Sequence, residues 1–247
     1  MRIHLITPIV TEGVRTLEDV AALNSADLSI TQSLIANGPV SIECEFDEAM
    51  SVPGILAEAI AAERSGADAI VIDCMGDPGL KAAREVVSIP VLGPSETSMH
   101  LAAMLGHKYS IVTVLDSVVP MLENLAKVYG TSEKLASVRV INIPVLELES
   151  APEKLTGELA KASLAAVEED GAHAIVLGCT GFLGCAEAID DALRAKGHSL
   201  PVIDPIPATV CVAAGIVRAG LTHSKRTFAQ PRSKDLKGYP SINIQGE

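Results

Sequence analysis

The stretch AERSGADAIVIDCMGDPG at residues 62–79 is the strongest indication of the fold, because VEEDGAHAIVLGCTGFLG at residues 167–184 nearly repeats it. The two copies align without a gap, and this alignment pairs Cys74 with Cys179. Each cysteine closely follows a short run of apolar, β-forming residues. The repeat therefore predicts two halves that share one fold and are related by a pseudo-twofold axis. The two cysteines would then face a single ligand from opposite sides.

Short apolar runs alternate with longer Ala-rich segments along the rest of the chain. This alternation predicts βαβ units, in which helices cover parallel sheets. We therefore expect an α/β protein with two pseudo-symmetric lobes, each a roughly four-stranded parallel sheet flanked by helices, and an active site between the lobes. The predicted strands are residues 3–7, 40–46, 69–73, 91–92, 110–115, 138–143, 174–178 and 202–203, and the predicted helices include residues 53–65, 78–87, 96–105, 120–129, 153–170 and 207–219.

Composition narrows the possible partners. Hydrophobic residues make up 48% of the 247 residues and aromatic residues only 2%, so Ala, Val, Ile and Leu must form the core. A net charge of −12 repels polyanions, and nucleic acid is not an expected partner. The first apolar run is too short for a signal peptide, and no stretch approaches the ~20 apolar residues of a membrane span. We expect a cytoplasmic protein that binds a small molecule and not a membrane.

The five cysteines are expected to be free thiols. Their number is odd, they form no CxxC pair, and the histidines have no companion at zinc-binding spacing, so neither a disulfide framework nor a metal site is predicted. Cys44, Cys185 and Cys211 are expected to be inert core residues. The matched positions of Cys74 and Cys179 indicate a functional role instead.

Open parallel sheets bind ligands at the carboxyl ends of their strands, where Cys74 and Cys179 both lie. Asp77 is expected to cap a helix that begins at Pro78, and the N-terminus of that helix would favour a Cys74 thiolate. Two thiols suit the inversion of a carbon stereocentre. One thiolate removes the proton while the other thiol protonates the opposite face of the carbon, without a cofactor.

The carbanion formed in this reaction would carry its charge on a carbonyl oxygen. We expect backbone N–H groups around Gly76–Asp77 and Thr180–Gly181 to bind that oxygen. Thr7 and Thr113 occupy matching strand ends and are expected to contact the ligand. These residues complete the predicted substrate site together with Pro8.

The chain resembles the aspartate/glutamate racemase superfamily, and most closely its hydantoin and allantoin racemase branch. The stretches that carry the resemblance are residues 41–54, 74–80, 99–113, 168–182 and 201–205, with the Ser-Lys pair at 224–225. The resemblance implies a cofactor-independent two-base mechanism, Cys74 and Cys179 in the catalytic positions, and an even-numbered homo-oligomer. It also implies that the last helix returns to the first lobe, which gives lobes of residues 1–97 plus 207–247 and 98–206.

Several residues depart from the branch and concern the substrate. Its first strand usually ends in Asn-Pro-Asn followed by Thr or Ser, whereas this chain has Thr7-Pro8-Ile9-Val10. An apolar side chain in place of an amide removes hydrogen bonds that a ureide or hydantoin could use. Thr180 replaces a frequent Ala and resembles the Gly-Cys-Thr of glutamate and aspartate racemases.

The sequence leaves several functions open. The leading hypothesis is a racemase of a hydantoin, allantoin or related amino-acid derivative. An amino-acid racemase of the Asp/Glu type, a decarboxylase or a cis–trans isomerase of the same superfamily would use the same fold. A non-catalytic protein that binds a small molecule on this scaffold is the alternative outside enzymology.

Overall fold

The computed structural model describes residues 1–242 and contains two parallel four-stranded sheets with helices on both faces. The first sheet has the order β2-β1-β3-β4 and the second has the order β6-β5-β7-β8. The strands are β1 (Arg2–Thr7), β2 (Ser29–Leu34), β3 (Ala69–Ile72), β4 (Val91–Leu92), β5 (Tyr109–Thr113), β6 (Leu135–Val140), β7 (Ile175–Leu177) and β8 (Val202–Ile203). The helices are α1 (Glu45–Arg64), α2 (Leu80–Val86), α3 (Pro94–Leu105), α4 (Val119–Val128), α5 (Pro152–Glu168), α6 (Cys185–Ala195) and α7 (Pro205–Arg218).

The repeat in the sequence corresponds to a repeat in strand pairing. Ile70 pairs with Val91 in the first sheet, and Ile175 pairs with Val202 in the second. Strands β3 and β7 are buried along their whole length, as expected for central strands covered by helices on both faces. The predicted α/β fold with two similar sheets is therefore confirmed.

The predicted strand at residues 40–46 is wrong. Residues 40–44 form a loop, and helix α1 begins at Glu45. Its first turn carries Glu45, Asp47 and Glu48, whose negative charges are favourable at a helix N-terminus. The edge strand next to β1 is β2 instead, which the apolar pattern misses because four of the six residues in its sequence SITQSL are polar.

Helix α6 was not among the predicted helices. It follows Gly184, which adopts a left-handed φ of 69°. Gly79 takes the same conformation, with a φ of 67°, immediately before helix α2. The two lobes thus pass from the cysteine turn into a helix through equivalent glycines, whose conformation would strain other residues.

Helix α7 packs on the first sheet, where it contacts β1, β3 and β4, and it also contacts helix α3. Ile206 and Val210 lie in one hydrophobic cluster with Ile3 and Leu5. The proposed lobe limits, residues 1–97 plus 207–247 and 98–206, stay a prediction, and residues 243–247 lie outside the described part of the chain. Among residues 1–242, none of the helices combines the length and the apolar character needed to cross a bilayer.

Candidate active site

Cys74 and Cys179 line the same cavity, which lies between the carboxyl ends of the two sheets. Each residue follows the central strand of its lobe, β3 or β7, and begins a tight turn. The backbone N–H of Gly76 donates to Cys74 Sγ over 3.5 Å, and the N–H of Gly181 donates to Cys179 Sγ over 3.4 Å. The two sulfurs therefore have equivalent backbone partners, as the repeat predicts.

The two cysteine turns also contact each other across the lobes. Thr180 in the second lobe donates from Oγ1 to the backbone carbonyl of Asp73 in the first lobe, over 3.4 Å. Negative charge on Cys179 also contributes to the raised pKa of Cys74. The fold thus places both thiols on the wall of one cavity between the lobes.

The expected stabilisation of the thiolate by a helix N-terminus is not observed. Helices α2 and α6 begin at Leu80 and Cys185, several residues after the cysteines of their turns, so that their free N–H groups are not next to the sulfurs. Burial raises the pKa of Cys74 well above that of a free thiol, and Glu48 and Cys179 raise it further. Burial also raises the pKa of Cys179, to about 12.

Asp77 has a different role from the one predicted. Its carboxylate accepts hydrogen bonds from the backbone N–H groups of Ser95 at 3.0 Å and Glu96 at 2.8 Å, and from the hydroxyl of Tyr129 at 2.7 Å. Asp77 therefore caps helix α3 and not α2, and its backbone is left-handed, with a φ of 49°. It is absent from the residues that line the cavity, and its burial raises the pKa of its carboxyl group to about 7.

The other predicted site residues line the cavity: Thr7, Pro8, Gly76, Thr113, Thr180 and Gly181. The predicted N–H groups of the first turn are, however, already engaged. The Asp77 N–H donates to the carbonyl of Cys74, and the Gly76 N–H donates to the sulfur. The Gly181 N–H also donates to a sulfur. The structure therefore shows these amides bound to the cysteines and not directed at the place of a substrate oxygen.

A buried charge network that the sequence did not indicate supports one wall of the cavity. Arg15 Nε donates to Asp73 Oδ2 over 2.6 Å, and the guanidinium also binds both oxygens of Asp19. The side chains of Arg15 and Asp73 are 4% and 0% exposed, so that neither charge is solvated by bulk water. Thr7 donates to the same Asp73 oxygen over 3.2 Å, which ties the end of β1 to this network.

Asp73 has one carboxylate oxygen that is left without a partner in the described part of the chain. Its Oδ1 is buried and has no hydrogen-bond partner among residues 1–242. Burial raises the pKa of Asp73, and Arg15 opposes that rise. The sequence does hold a signal for this residue, because Gly178 occupies the matching position in the second copy of the repeat. A side chain at Gly178 would collide with Ile111 and Thr113, so that only the first lobe can place a carboxylate here.

Apolar side chains form the rest of the cavity wall. They come from both lobes, which leaves much of the interior without polar partners for a ligand: Ile9, Val14, Ile42, Met75, Val114, Val118, Met121, Leu122 and Val145. Ile9 is the residue that replaces the second Asn of the family's first-strand pattern, and it is only 7% exposed. This substitution therefore lies within the candidate site.

The loop before helix α1 joins the two lobes beside this cavity. Glu43 accepts a hydrogen bond from the backbone N–H of Val145 at 2.7 Å, and its carbonyl accepts one from Ser117 Oγ at 2.7 Å. Ile42 and Val145 both line the cavity. Second-lobe contacts therefore fix the segment that the sequence predicted as a strand.

All five cysteines are free thiols. Cys185 is buried in the second hydrophobic core, as expected of an inert residue. Cys44 is half-buried at the N-cap of helix α1, and Cys211 is exposed on helix α7, so that the core assignment is wrong for Cys211. Residues 1–242 contain no cluster of three or more His, Cys, Asp or Glu side chains arranged to hold a metal ion.

Comparison with known proteins places this geometry among racemases. A family model described as Asp/Glu/Hydantoin racemase matches residues 7–213. The chain is 40% identical to hydantoin racemase of Rhizobium meliloti over 242 residues, which are 97% of this chain and 98% of that protein. It is 39% identical to hydantoin racemase of Pseudomonas sp. (strain NS671) over 241 residues, with 96% and 95% of the two chains covered.

The same similarity extends to three-dimensional structure. Allantoin racemase from Klebsiella pneumoniae superimposes with a TM-score of 0.90 at 35% sequence identity, over 98% of both chains. A family match over most of the chain, near-complete coverage of relatives and two cysteine turns on one cavity all agree. The chain therefore belongs to the Asp/Glu/hydantoin racemase family of isomerases.

Proposed function

We propose that this protein racemises 5-substituted hydantoins without a cofactor and uses Cys74 and Cys179 as its two bases. The observation that carries this proposal is the presence of both thiols on one cavity, each at the end of the central strand of its own lobe. A stereocentre held between them would have one sulfur on each face. This is the arrangement that inversion by proton transfer needs.

In each turnover one cysteine acts as the thiolate and the other as the thiol. The thiolate removes the proton from C5 of the hydantoin, and the electron pair of the C–H bond moves onto the C4 carbonyl oxygen as an enolate. The opposite thiol then gives its proton to C5 while the carbonyl forms again. The two cysteines have exchanged protonation states at the end. They return to their starting states either when the opposite enantiomer reacts in the reverse direction or when the cysteines exchange protons with water.

Asp73 is proposed to orient the ring. Its Oδ1 is buried without a partner, and an unpaired buried acceptor is costly unless a ligand donates to it. A hydantoin ring offers N–H donors of the required kind. Arg15 and Thr7 hold the other oxygen of the same carboxylate, so that the free oxygen has a defined direction.

The apolar wall favours an alkyl substituent at C5 over the ureido substituent of allantoin. A ureido group carries several hydrogen-bonding atoms, and burial of such atoms without partners costs more than burial of an alkyl group gains. The nearby side chains include Ile42, Val118 and Leu122, which offer no hydrogen bonds. We therefore assign 5-alkylhydantoins as the preferred substrate class.

The proposed reaction predicts loss of optical activity together with proton exchange. In deuterated water, each enantiomer of 5-isopropylhydantoin should lose its rotation and gain one deuterium at C5, faster than in a sample without protein. The value of kcat/KM should rise between about pH 7 and pH 9, because the base is a thiolate and burial raises the pKa of both cysteines. Rotation that does not change, or racemisation confined to aspartate or glutamate, contradicts the hydantoin assignment.

Ile9→Asn tests the substrate class. This variant restores the amide that the branch usually carries, and we expect the ratio of kcat/KM for allantoin to that for 5-isopropylhydantoin to rise about tenfold. Val10→Asn is the matched control, because Val10 is the next residue and does not line the cavity. Polarimetry on both substrates measures the ratio. An equal change in the two variants would mean that Ile9 does not contact the substituent.

A further inference from the structure

The two cysteine turns are equivalent in backbone but not in the groups that pack against them. Gly76 and Gly181 match each other, and each donates its N–H to a sulfur. A methyl group added at Gly76 would collide with the carboxyl group of Glu48. A methyl group added at Gly181 would instead meet the Cδ1 atom of Leu148 at 3.1 Å. The first turn therefore packs against an ionisable group and the second against an aliphatic one.

The Glu48 carboxyl group has no role in the protein scaffold that explains its position. It extends from the first turn of helix α1, and its Oε1 is buried without a hydrogen-bond partner among the described residues. When the repeat alignment is extended toward the N-terminus, Glu48 matches Glu153, which is exposed on helix α5. The pseudo-symmetry thus provides no second carboxyl group of this kind for Cys179.

Glu48 is surrounded by other acidic groups. Glu45 lies on its own helix, and Asp77 and Cys74 lie on the turn that it contacts. Burial, together with the charges on Glu45 and Asp77, raises the pKa of Glu48 to about 8. After burial, Glu48 is the largest influence that raises the pKa of Cys74, and its effect exceeds that of Cys179.

Cys179 has a different set of neighbours. Asp73 and Glu43 raise its pKa, but the Arg15 guanidinium lowers it. Cys179 is thus near a cation that offsets part of the acidic field. Within residues 1–242, no cation is among the main influences on the pKa of Cys74, where the N–H of Gly76 is the group that favours the thiolate.

We propose that Glu48 is a positioning residue that makes the cavity chemically one-sided: its carboxyl group, seated against the Gly76 turn, keeps the proton on Cys74 when it is ionised, so that Cys179 supplies the first thiolate. This inference rests on the proposed function, since a two-base reaction needs one thiol and one thiolate at the start of each turnover. Glu48 acts through Cys74 and need not contact the substrate. The two cysteines then differ in resting protonation although their backbone surroundings match.

The test measures each thiol separately. The wild-type protein, Glu48→Gln and Glu45→Gln are treated with iodoacetamide at pH 7 and pH 9, and the alkylation rates of Cys74 and Cys179 are followed by mass spectrometry of their peptides. Glu45→Gln is the matched control, because it removes an exposed carboxylate from the same helical turn. In the wild type, Cys179 should react faster than Cys74. Glu48→Gln should accelerate Cys74 about tenfold at pH 9, as expected for removal of one nearby charge, and leave Cys179 within about twofold.

Two results would overturn the inference. One is an alkylation rate of Cys74 that is the same in Glu48→Gln and in the wild type, which includes the case where Cys74 reacts in neither protein. The other is an equal acceleration of both cysteines. The pH profile of kcat/KM provides a second readout: its alkaline fall, which follows loss of the Cys74 proton, should begin at lower pH in Glu48→Gln than in the control, while the rise set by Cys179 should stay in place. Alkylation needs no turnover. A protein that shows the expected thiol rates but racemises no hydantoin would therefore contradict the proposed function and not the role of Glu48.

Discussion

Cys74→Ala and Cys179→Ala are each expected to lower kcat/KM for racemisation by about 10³-fold, the usual contribution of a positioned acid or base. Either variant leaves one face of the stereocentre without a proton donor or acceptor. Both cysteines line the same cavity, so that loss of either one breaks the same proton path. Polarimetry with each enantiomer of 5-isopropylhydantoin measures the loss. Cys211→Ala is the control, because Cys211 is exposed on helix α7, and its activity should match the wild type.

The serine variants make this prediction more specific. In Cys74→Ser, the remaining Cys179 can still remove and return a proton on its own face. In deuterated water, one enantiomer should therefore exchange its C5 proton for deuterium and keep its configuration, while the other enantiomer should keep its original C5 proton. Cys179→Ser should show the opposite preference. If both variants exchange the same enantiomer, or if an alanine variant keeps full activity, the two-base mechanism is wrong.

Arg15→Met is expected to lower the free energy of unfolding by about 3 kcal/mol or more, because it leaves buried carboxylates without their cation. The Arg15 side chain binds Asp73 and Asp19, whose side chains are almost completely buried. Methionine keeps much of the side-chain volume and removes only the charge and the hydrogen bonds. Urea denaturation followed by circular dichroism measures the change.

Arg139→Met is the matched control for this substitution. Arg139 also binds two carboxylates, Glu169 and Asp170, but all three side chains are more exposed than those of the Arg15 network, at 26%, 67% and 22%. Arg139→Met should lower the free energy of unfolding by less than about 1 kcal/mol, as is usual for exposed ion pairs. Similar losses for Arg15→Met and Arg139→Met would show that the network behind the cavity does not stabilise the fold as its burial suggests.

The proposed catalytic pair, Cys74 and Cys179, is predictable because it lies inside a repeat. The glycines and cysteines of residues 62–79 and 167–184 occur in the same order, and apolar similarity alone would not keep them aligned. Buried strands such as β3 and β7 were equally predictable, since each is a continuous apolar run. The edge strand β2 was not, because an edge strand tolerates polar residues and its sequence has no clear period.

Other site residues could not be read from the chain. Asp77 precedes helix α2 by the spacing of a helix cap, but its carboxylate caps helix α3, which lies next to it only after the first sheet has formed. Arg15 is a single charged residue in an irregular segment, and nothing in its sequence neighbours indicates Asp73 as its partner. The position of Glu48 against Gly76 likewise depends on how helix α1 packs over the first cysteine turn.

Three properties are predictable from the amino-acid sequence alone: the two-lobed α/β architecture, the strand ends that carry Cys74 and Cys179, and the family to which the chain belongs. These properties follow from the local spacing of apolar residues and from an internal repeat, and both are visible in the linear sequence. The three-dimensional arrangement is needed to see that burial raises the pKa of both thiols and that Arg15, Asp73 and Glu48 make their surroundings unequal. The physical reason is that desolvation and Coulomb interactions depend on distances through space, and these distances exist only after the two lobes have packed.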